Sequence, residues 1–253
     1  MKIVVIGGTG LIGSKVVEHL AEYGHEAVPA SPNSGVNTIT GEGLADVLAG
    51  ANVVVDVSNS PSFADDDVVA FFTTSTNNLL DAAREAGVTH HVALSVVGAD
   101  RLPNSGYLRA KVAQEKLIEE SGLPFSIVRA TQFYEFVGRI ADEATVDGTA
   151  RLSTGLMQPM AAADVSAAVA RVAAGEPVNG TVEIGGPKRV GQDELVRTAL
   201  AAKGDPRRVV GDPEAHYFGT RLEGTELVPG PDAQLSTTTF AEWLAAQPAA
   251  VQG

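Results

Sequence analysis

Near its start the chain reads Lys2-Ile3-Val4-Val5-Ile6-Gly7-Gly8-Thr9-Gly10-Leu11-Ile12-Gly13, an apolar run that passes directly into a glycine-rich turn. The glycines fit two spacings, G-x-G-x-x-G from Gly8 and G-x-x-G-x-x-G from Gly7, which share Gly10 and Gly13. In such a turn one glycine allows the tight bend, a second lets the backbone approach a pyrophosphate, and a third lets helix and strand pack closely. Residues 14–23 then show helical spacing of apolar side chains. The stretch therefore predicts a dinucleotide held at the N-terminus of that helix.

Apolar strands and helices alternate along the first half of the chain. The patterns predict further strands at residues 26–30, 52–57, 88–97 and 123–129, and helices at residues 41–48, 65–86 and from Tyr107 onward. No hairpin signal lies between them, which indicates a parallel sheet covered by helices on both faces. We therefore expect an α/β fold of the Rossmann-like, doubly wound type.

The composition excludes several kinds of site. The chain has no cysteine, so disulfides, thiolate catalysis and zinc-thiolate centres are ruled out. Its net charge of −13 disfavours nucleic acids and anionic membranes as partners. No apolar run has transmembrane length and no secretory signal is recognised, so a cytoplasmic protein is expected. No metal site is predicted, and of His90 and His91 one is expected in the core and the other in solvent.

The residue that reads the adenosine ribose is expected after the second strand, where the sequence has Ser31-Pro32-Asn33-Ser34. No carboxylate is present there to bind both ribose hydroxyls, and no arginine or lysine to neutralise a 2′-phosphate. Ser31 and Asn33 can hydrogen-bond either form, so NAD or NADP is expected, with NAD favoured. An ordinary turn is the alternative interpretation. The third strand runs into Ser58-Asn59-Ser60, where further cofactor contacts are expected.

A second group of polar residues follows the fourth strand. Ser95 closes that strand, and Tyr107 and Lys111 lie four residues apart on the next helix, so they share one face. An ammonium group beside a phenol favours the phenolate and makes the tyrosine a better proton shuttle. A carbonyl that accepts hydride also needs a proton and a polarising hydrogen bond. Ser95, Tyr107 and Lys111 are therefore the predicted catalytic set, although a Y-x-x-x-K pair alone is also typical of a helix surface.

Together these motifs resemble the atypical short-chain dehydrogenases/reductases of the NmrA-like group. The similarity runs from Gly7 to about Thr131 and includes residues 77–83, 93–95, 107–111 and 129–134. It implies an NAD(P)-binding Rossmann domain, the same catalytic set, contact of Lys111 with the nicotinamide ribose, and residues 130–133 beside the nicotinamide. With the positions given above, the expected cofactor contacts are Gly7, Thr9, Gly10, Leu11, Ile12, Gly13, Ser31, Asn33, Ser58, Asn59, Ser60, Lys111, Ala130, Thr131, Gln132 and Phe133.

Regular alternation ends at about Gln132, and the resemblance implies a small C-terminal substrate lobe over the cofactor. We divide the chain into an NAD(P)-binding core at residues 1–131 and a substrate-binding lobe at 132–253 with elements that return to the core, as a single integrated domain. Helices are expected at residues 164–173, 193–202 and 237–247, a strand at 181–184, and a mobile cover at 204–232. The residues expected to contact substrate are Phe133, Tyr134, Met157, Met160 and Phe218.

The leading functional hypothesis is an NAD(P)-dependent oxidoreductase that acts on a quinone, aromatic ketone or polyketide-like substrate. In it Tyr107 exchanges the proton, Lys111 holds the ribose and Ser95 orients the substrate oxygen. Two alternatives stay open, a dinucleotide-sensing regulator without turnover and a tailoring oxygenase for aromatic polyketides. A monomer or a homodimer is expected.

Overall fold

The computed structural model describes residues 1–247, and a seven-stranded sheet forms its centre. The strands of the chain are β1 Lys2–Ile6, β2 Glu26–Ala30, β3 Val53–Asp56, β4 His90–Val96, β5 Phe125–Ala130, β6 Thr145–Val146, β7 Thr149–Leu152, β8 Leu156–Met157, β9 Gly180–Gly185, β10 Val190–Gly191, β11 Arg208–Gly211, β12 His216–Tyr217, β13 Thr220–Arg221 and β14 Gln234–Leu235. The helices are α1 Gly13–Glu22, α2 Leu44–Leu48, α3 Asp65–Glu85, α4 Gly106–Glu120, α5 Val137–Glu143, α6 Ala162–Ala174, α7 Gln192–Ala202 and α8 Phe240–Ala245. None of these helices has both the length and the apolar character needed to cross a bilayer.

The strand order across the central sheet is β14-β9-β5-β4-β3-β1-β2, and every neighbouring pair is parallel. This confirms the Rossmann-like fold expected from the sequence. The direction of winding reverses between β1 and β3. Ligands of open parallel sheets bind outside the carboxyl ends of the strands at such a reversal. Gly7 follows β1 and Val57 follows β3, so the glycine-rich turn lies at this crevice.

Helices cover both faces of the sheet because its inner strands are apolar on both. Val5 of β1 belongs to one buried cluster with Leu20 of α1 and with residues of α6. Val4, which points the opposite way, belongs to another with Leu79 of α3 and with residues of α2. Helix α3 also packs along α4. The two layers hold the carboxyl ends of β1, β3 and β4 rigidly at one edge.

The histidine pair at the start of β4 differs from the expectation. Both side chains are buried, with 2% of His90 and 0% of His91 exposed. Since β4 is an inner strand covered on both faces, neither side of it reaches solvent. His90 Nε2 lies 2.9 Å from Ser126 Oγ, whereas the His91 ring nitrogens have no partner among residues 1–247. Burial lowers the pKa of both imidazoles, that of His91 to about 4, so both are neutral at neutral pH.

The residues after β5 contribute to the central sheet and to a separate group of small sheets. Strands β9 and β14 extend the central sheet, and α6 packs against α1. The other strands pair as β11-β7-β6, β10-β8 and β12-β13 around a second apolar core that includes Leu152, Met157 and Leu200. The segment at residues 204–232, expected as a mobile cover, contains β11, β12 and β13. Residues 248–253 of the expected lobe lie outside the described residues.

Candidate functional site

The glycines of the first turn have separate structural roles. Gly7 has a φ of +77°, and a Cβ there would lie 3.0 Å from the Ser58 backbone. A Cβ at Gly13 would come within 2.1 Å of the Gly7 carbonyl oxygen, and one at Gly8 within 2.6 Å of another backbone oxygen. A Cβ at Gly10 would meet only the Gly7 oxygen, at 3.3 Å. The fold therefore requires glycine at positions 7, 8 and 13, whereas at position 10 the missing side chain keeps space open above the backbone.

A cavity of about 650 Å³ lies over this turn, along the carboxyl edge of the sheet. Most of the expected cofactor contacts line it, namely Gly7, Thr9, Gly10, Leu11, Ile12, Gly13, Ser31, Ser58, Asn59, Lys111 and Phe133. Asn33, which was expected there, is exposed and lines neither cavity of the site. Sequence reasoning missed a further part of the wall, formed by Pro32, Val36, Asn37, Thr38, Ile39 and Phe71. Five of these residues lie between β2 and α2 and one lies in α3, and they share no sequence motif that would have identified them.

The end of this cavity near β2 carries no charge. Ser31 Oγ is buried and forms no hydrogen bond of normal geometry within residues 1–247, although the Ser31 N–H donates to Ser34 Oγ at 2.9 Å. Among the described residues that line the cavity, Lys111 alone is charged, and it lies at the other end, beside Leu94 and Ser95. The hydroxyl of Ser31 thus has no partner within residues 1–247, and none of the described residues that line this end of the cavity is charged.

A second cavity, of about 420 Å³, has aromatic walls. Its aromatic lining consists of Phe63, Tyr107, Phe133, Phe136, Tyr217 and Phe218. Four residues expected to contact the cofactor, Ser60, Ala130, Thr131 and Gln132, line this cavity and not the larger one. Three residues expected to contact substrate do not line it, namely Tyr134, Met157 and Met160. Both methionines are buried in apolar clusters and Tyr134 packs on Phe240 and Trp243 of α8, because large apolar side chains fill the core first.

The two cavities share a wall. The residues that line both are Asn59, Pro61, Ser95, Val96, Tyr107, Phe133 and Phe136. Two members of the predicted catalytic set therefore lie where the cavities meet, while Lys111 lines the larger cavity only. Within residues 1–247, no group of three or more histidine, aspartate or glutamate side chains is arranged to bind a metal ion.

Ser95 lies at this junction with its hydroxyl proton already engaged. Ser95 Oγ donates to Glu115 Oε1 at 2.5 Å, and Arg129 holds the same carboxylate through contacts of 2.6 and 2.9 Å. Arg129 also donates to Asp100 at 3.0 Å. The expected contact of Ser95 with a substrate oxygen thus requires its proton to turn away from Glu115. Sequence reasoning missed Glu115, although it lies four residues beyond Lys111 on the same helical face.

Tyr107 and Lys111 both line the larger cavity, but their interaction differs from the expectation. Lys111 Nζ donates to the Leu94 carbonyl at 2.9 Å and to Gln114 Oε1, and not to the phenol. Burial lowers the pKa of Lys111 to about 8, although nearby carboxylates oppose this. Burial raises the pKa of Tyr107 to about 12. The expectation of a favoured phenolate is therefore wrong, and Tyr107 keeps its proton at neutral pH.

The Gln132 side chain is the polar group that the smaller cavity leaves without a protein partner. It is 8% exposed, and neither its amide nitrogen nor its amide oxygen has a hydrogen-bond partner in the described chain. Its backbone is held, because its carbonyl accepts from the Met160 N–H at 2.9 Å. Burial raises the pKa of Tyr217, and nearby Gln132 opposes this, but the pair forms no hydrogen bond of normal geometry. The two N–H donors and the oxygen acceptor of this amide are thus unpaired within the described chain.

Residues 7–176 match the model of a protein family described as NAD(P)H-binding. The matched range includes the glycine-rich turn, α4 and the segment after β5, and so covers most of both cavities. The chain is also similar to the NADPH-dependent quinone oxidoreductase QOR2 of Escherichia coli, with a TM-score of 0.64 at 20% identity, covering 83% of this chain and 77% of that one. That likeness is one of fold.

The curated relatives are longer than this chain. Divinyl chlorophyllide a 8-vinyl-reductase of Cucumis sativus is 30% identical in an alignment of length 222 that covers 73% of this chain and 52% of the relative. The photosystem II assembly factor Ycf39 of Synechocystis sp. is 23% identical in an alignment of length 234 that covers 85% of this chain and 72% of the relative. The chain spans about half the length of the first curated relatives it matches, from 51% to 57%.

Proposed function

The chain belongs to the family of NAD(P)H-binding proteins, and on that premise we propose that it is an NAD(P)H-dependent reductase of quinones or aromatic ketones. The meeting of the two cavities at Tyr107 carries this proposal. The larger cavity has the glycine-rich turn that a dinucleotide requires, and the smaller one has aromatic walls that suit a flat substrate. A nicotinamide in one and an acceptor in the other meet beside a protonated phenol.

The residues that line the larger cavity are suited to hold the nicotinamide at one end of it and the adenosine at the other. Residues 7–13 bind the pyrophosphate at the N-terminus of α1, and the nicotinamide supplies the hydride. The Lys111 ammonium has three N–H donors, of which two bind Leu94 and Gln114, so the third is assigned to the nicotinamide ribose. Ser31 is assigned to the adenosine ribose. Since no cation lines that end of the cavity, NAD is favoured over NADP.

Tyr107 supplies the proton that the reduced oxygen needs. With its pKa raised by burial to about 12, the phenol is protonated at neutral pH and can donate as negative charge develops on a carbonyl oxygen. Ser95 polarises the same oxygen once its proton turns from Glu115 into the cavity. Glu115 then keeps Arg129 as its partner, so its charge is not left unpaired.

The aromatic lining supports a quinone or aromatic ketone as substrate. Flat rings gain from edge and offset contacts with phenylalanine and tyrosine rings beyond the area they bury. The similar Escherichia coli protein is a quinone oxidoreductase, which agrees with this class. Within the described chain, Arg139 is the one cation in this lining, and its Nε is paired with Glu143 at 2.7 Å.

Turnover under anaerobic conditions tests the proposal. Purified protein is titrated with NADH and NADPH, and each complex is then mixed with 1,4-naphthoquinone, 9,10-anthraquinone and aromatic ketones. We expect cofactor oxidation that depends on at least one of these acceptors. Dinucleotide binding without oxidation by any member of the panel would contradict the reductase. Oxygen consumption with an anthrone, seen only after air is admitted, would instead identify the tailoring oxygenase.

A dinucleotide-sensing regulator without turnover is the second candidate. It is favoured by the engagement of Ser95 with Glu115 and by the direction of Lys111 toward Leu94 and not toward Tyr107. The similar Synechocystis protein is described as an assembly factor and not as a reductase. This candidate predicts measurable affinity for NADH or NADPH together with an inert acceptor panel.

A further inference from the structure

Two β-hairpins of the C-terminal part close through the same kind of turn. Asp147-Gly148 joins β6 to β7 with φ angles of +48° and +72°, and Phe218-Gly219 joins β12 to β13 with +45° and +78°. Positive φ at both central positions of a two-residue loop defines a type I′ turn. Aspartate followed by glycine is a preferred pair there, whereas a bulky side chain in the left-handed region is strained. The chain thus places a favoured residue in one turn and an unfavourable one in the other.

Burial in the core does not explain why phenylalanine occupies this turn. Phe218 is 39% exposed, so its ring is only partly removed from water. The ring is stacked beside that of Tyr107, with centroids 5.7 Å apart and planes at 26°, and lies 6.1 Å from the Phe63 ring. It lines the smaller cavity together with both of these residues. The strained turn therefore positions an aromatic ring at the cavity wall that contains the proposed proton donor.

Phe218, Tyr107 and Phe63 come from three separate segments of the chain. Phe63 lies in the loop before α3, Tyr107 at the start of α4, and Phe218 at the tip of the β12–β13 hairpin. Tyr217 also packs edge-on against Phe218, with centroids 4.8 Å apart and planes at 88°. The hairpin tip is thus fixed by ring contacts on two sides, which holds Phe218 over the cavity against the preference of its backbone.

We propose that Phe218 is a substrate-binding residue, and that its strained turn holds the ring against a planar aromatic substrate beside Tyr107. The role rests on the proposed function and assigns to this residue the recognition of the flat, unsaturated ring of the substrate. A saturated ketone of the same size gains no ring-to-ring contact from this wall. Strain that the fold maintains at a ligand-binding position is the expected signature of such a residue.

Binding and melting measurements on matched variants test this role. Phe218→Asn places a residue suited to the turn and removes the ring, so relief of strain offsets the lost ring contacts and we expect Tm to change by less than about 2 °C. With NAD⁺ bound to prevent turnover, calorimetry should show a Kd for 1,4-naphthoquinone that is about tenfold weaker. The Kd for saturated 1-decalone should change little. Phe218→Tyr restores the ring and should return the naphthoquinone Kd to that of the wild type.

The second hairpin supplies the control. Asp147→Phe introduces the same strain in a turn that lines neither cavity, so Tm should fall while both Kd values stay unchanged. An unchanged naphthoquinone Kd in Phe218→Asn overturns the inference. A lower Tm combined with an equal weakening of the Kd values for naphthoquinone and 1-decalone also overturns it. Failure of the wild-type protein to bind naphthoquinone does so too. If the wild type binds naphthoquinone, loses that binding in Phe218→Asn and yet oxidises no cofactor, the proposed reductase fails while the role of Phe218 stands.

Discussion

At the scale of single residues, substitutions at Gly10 and Gly13 distinguish an effect on cofactor binding from an effect on folding. A methyl group at Gly10 meets one protein atom at 3.3 Å, so Gly10→Ala should change Tm by less than about 2 °C. The same methyl enters the space assigned to the pyrophosphate and prevents charge-assisted contacts with the backbone N–H groups. Because such contacts contribute about 1.5–3 kcal/mol each, we expect the Kd for NADH to weaken at least tenfold.

Gly13→Ala is the matched control for that variant. Its Cβ would lie 2.1 Å from the Gly7 carbonyl oxygen, so α1 must move away from the turn. We expect a loss of about 1–3 kcal/mol in the free energy of unfolding, measured by urea denaturation. Equal Kd values in the wild type and Gly10→Ala would show that the turn does not hold the pyrophosphate.

Gln132 decides whether the segment after β5 serves the cofactor or the substrate. Its unpartnered amide lines the smaller cavity, so Gln132→Leu should leave the Kd for NADH unchanged. A quinone carbonyl can accept from the amide N–H, and a hydroxyl that is not beside a carbonyl can donate to the amide oxygen. We therefore expect KM to rise about tenfold for 6-hydroxy-1,4-naphthoquinone and much less for 1,4-naphthoquinone. A weaker cofactor Kd with unchanged KM values would return Gln132 to the cofactor side.

At the scale of elements, α4 carries the polar groups of the site on one face. Burial lowers the pKa of Lys111 to about 8, so its ammonium form prevails below pH 8 and is lost above it. If that ammonium binds the nicotinamide ribose, the Kd for NADH should be constant up to about pH 7 and weaken as the pH rises through 8. Fluorescence titration between pH 6 and 9.5 measures this profile.

Lys111→Met supplies the comparison for the pH profile. The variant should bind NADH about 10- to 100-fold more weakly at pH 7, as expected for loss of a charge-assisted hydrogen bond, and its Kd should not depend on pH across this range. If the lysine had only a structural role, the variant would have a lower Tm, but its Kd for NADH would depend on pH in the same way as that of the wild type. A wild-type Kd that does not change between pH 7 and 9 would disprove contact between the ammonium and the cofactor.

The elements also show how far sequence patterns predict this protein. The strand at residues 26–30 and the long helix beginning at Asp65 were predicted within a residue or two, because their apolar periodicity is local. For the histidines of β4 one was expected in the core and one in solvent, but both are buried, since their burial depends on helices that are distant in sequence. Met157 and Met160 were assigned to the pocket for the same reason, although the second core buries Met157 and the core of the central sheet buries Met160.

At the scale of the whole molecule, the candidate site lies where the two cavities meet, and no sequence motif describes that meeting point. The glycine-rich turn and the Ser95, Tyr107 and Lys111 set were predicted from the sequence by their spacing, and these residues line one or both cavities. The division of contacts between two cavities was not, and neither was the engagement of Ser95 by Glu115. These features arise where β4, β5, α4 and the hairpin carrying Phe218 meet. Local patterns therefore predicted the parts of the site but not their mutual arrangement.

The most direct test of this arrangement is the rate of NADH or NADPH oxidation by 1,4-naphthoquinone, measured in the wild-type protein and in Tyr107→Phe. The Kd for the cofactor is measured alongside for both proteins. Tyr107 lines both cavities and carries a proton at neutral pH. We predict quinone-dependent turnover in the wild type, and in Tyr107→Phe a kcat lower by about 10²- to 10⁴-fold with an unchanged cofactor Kd. An equal kcat in the two proteins would contradict the proton-donor role, and a wild type that binds cofactor but is inert with the acceptor panel would contradict the reductase.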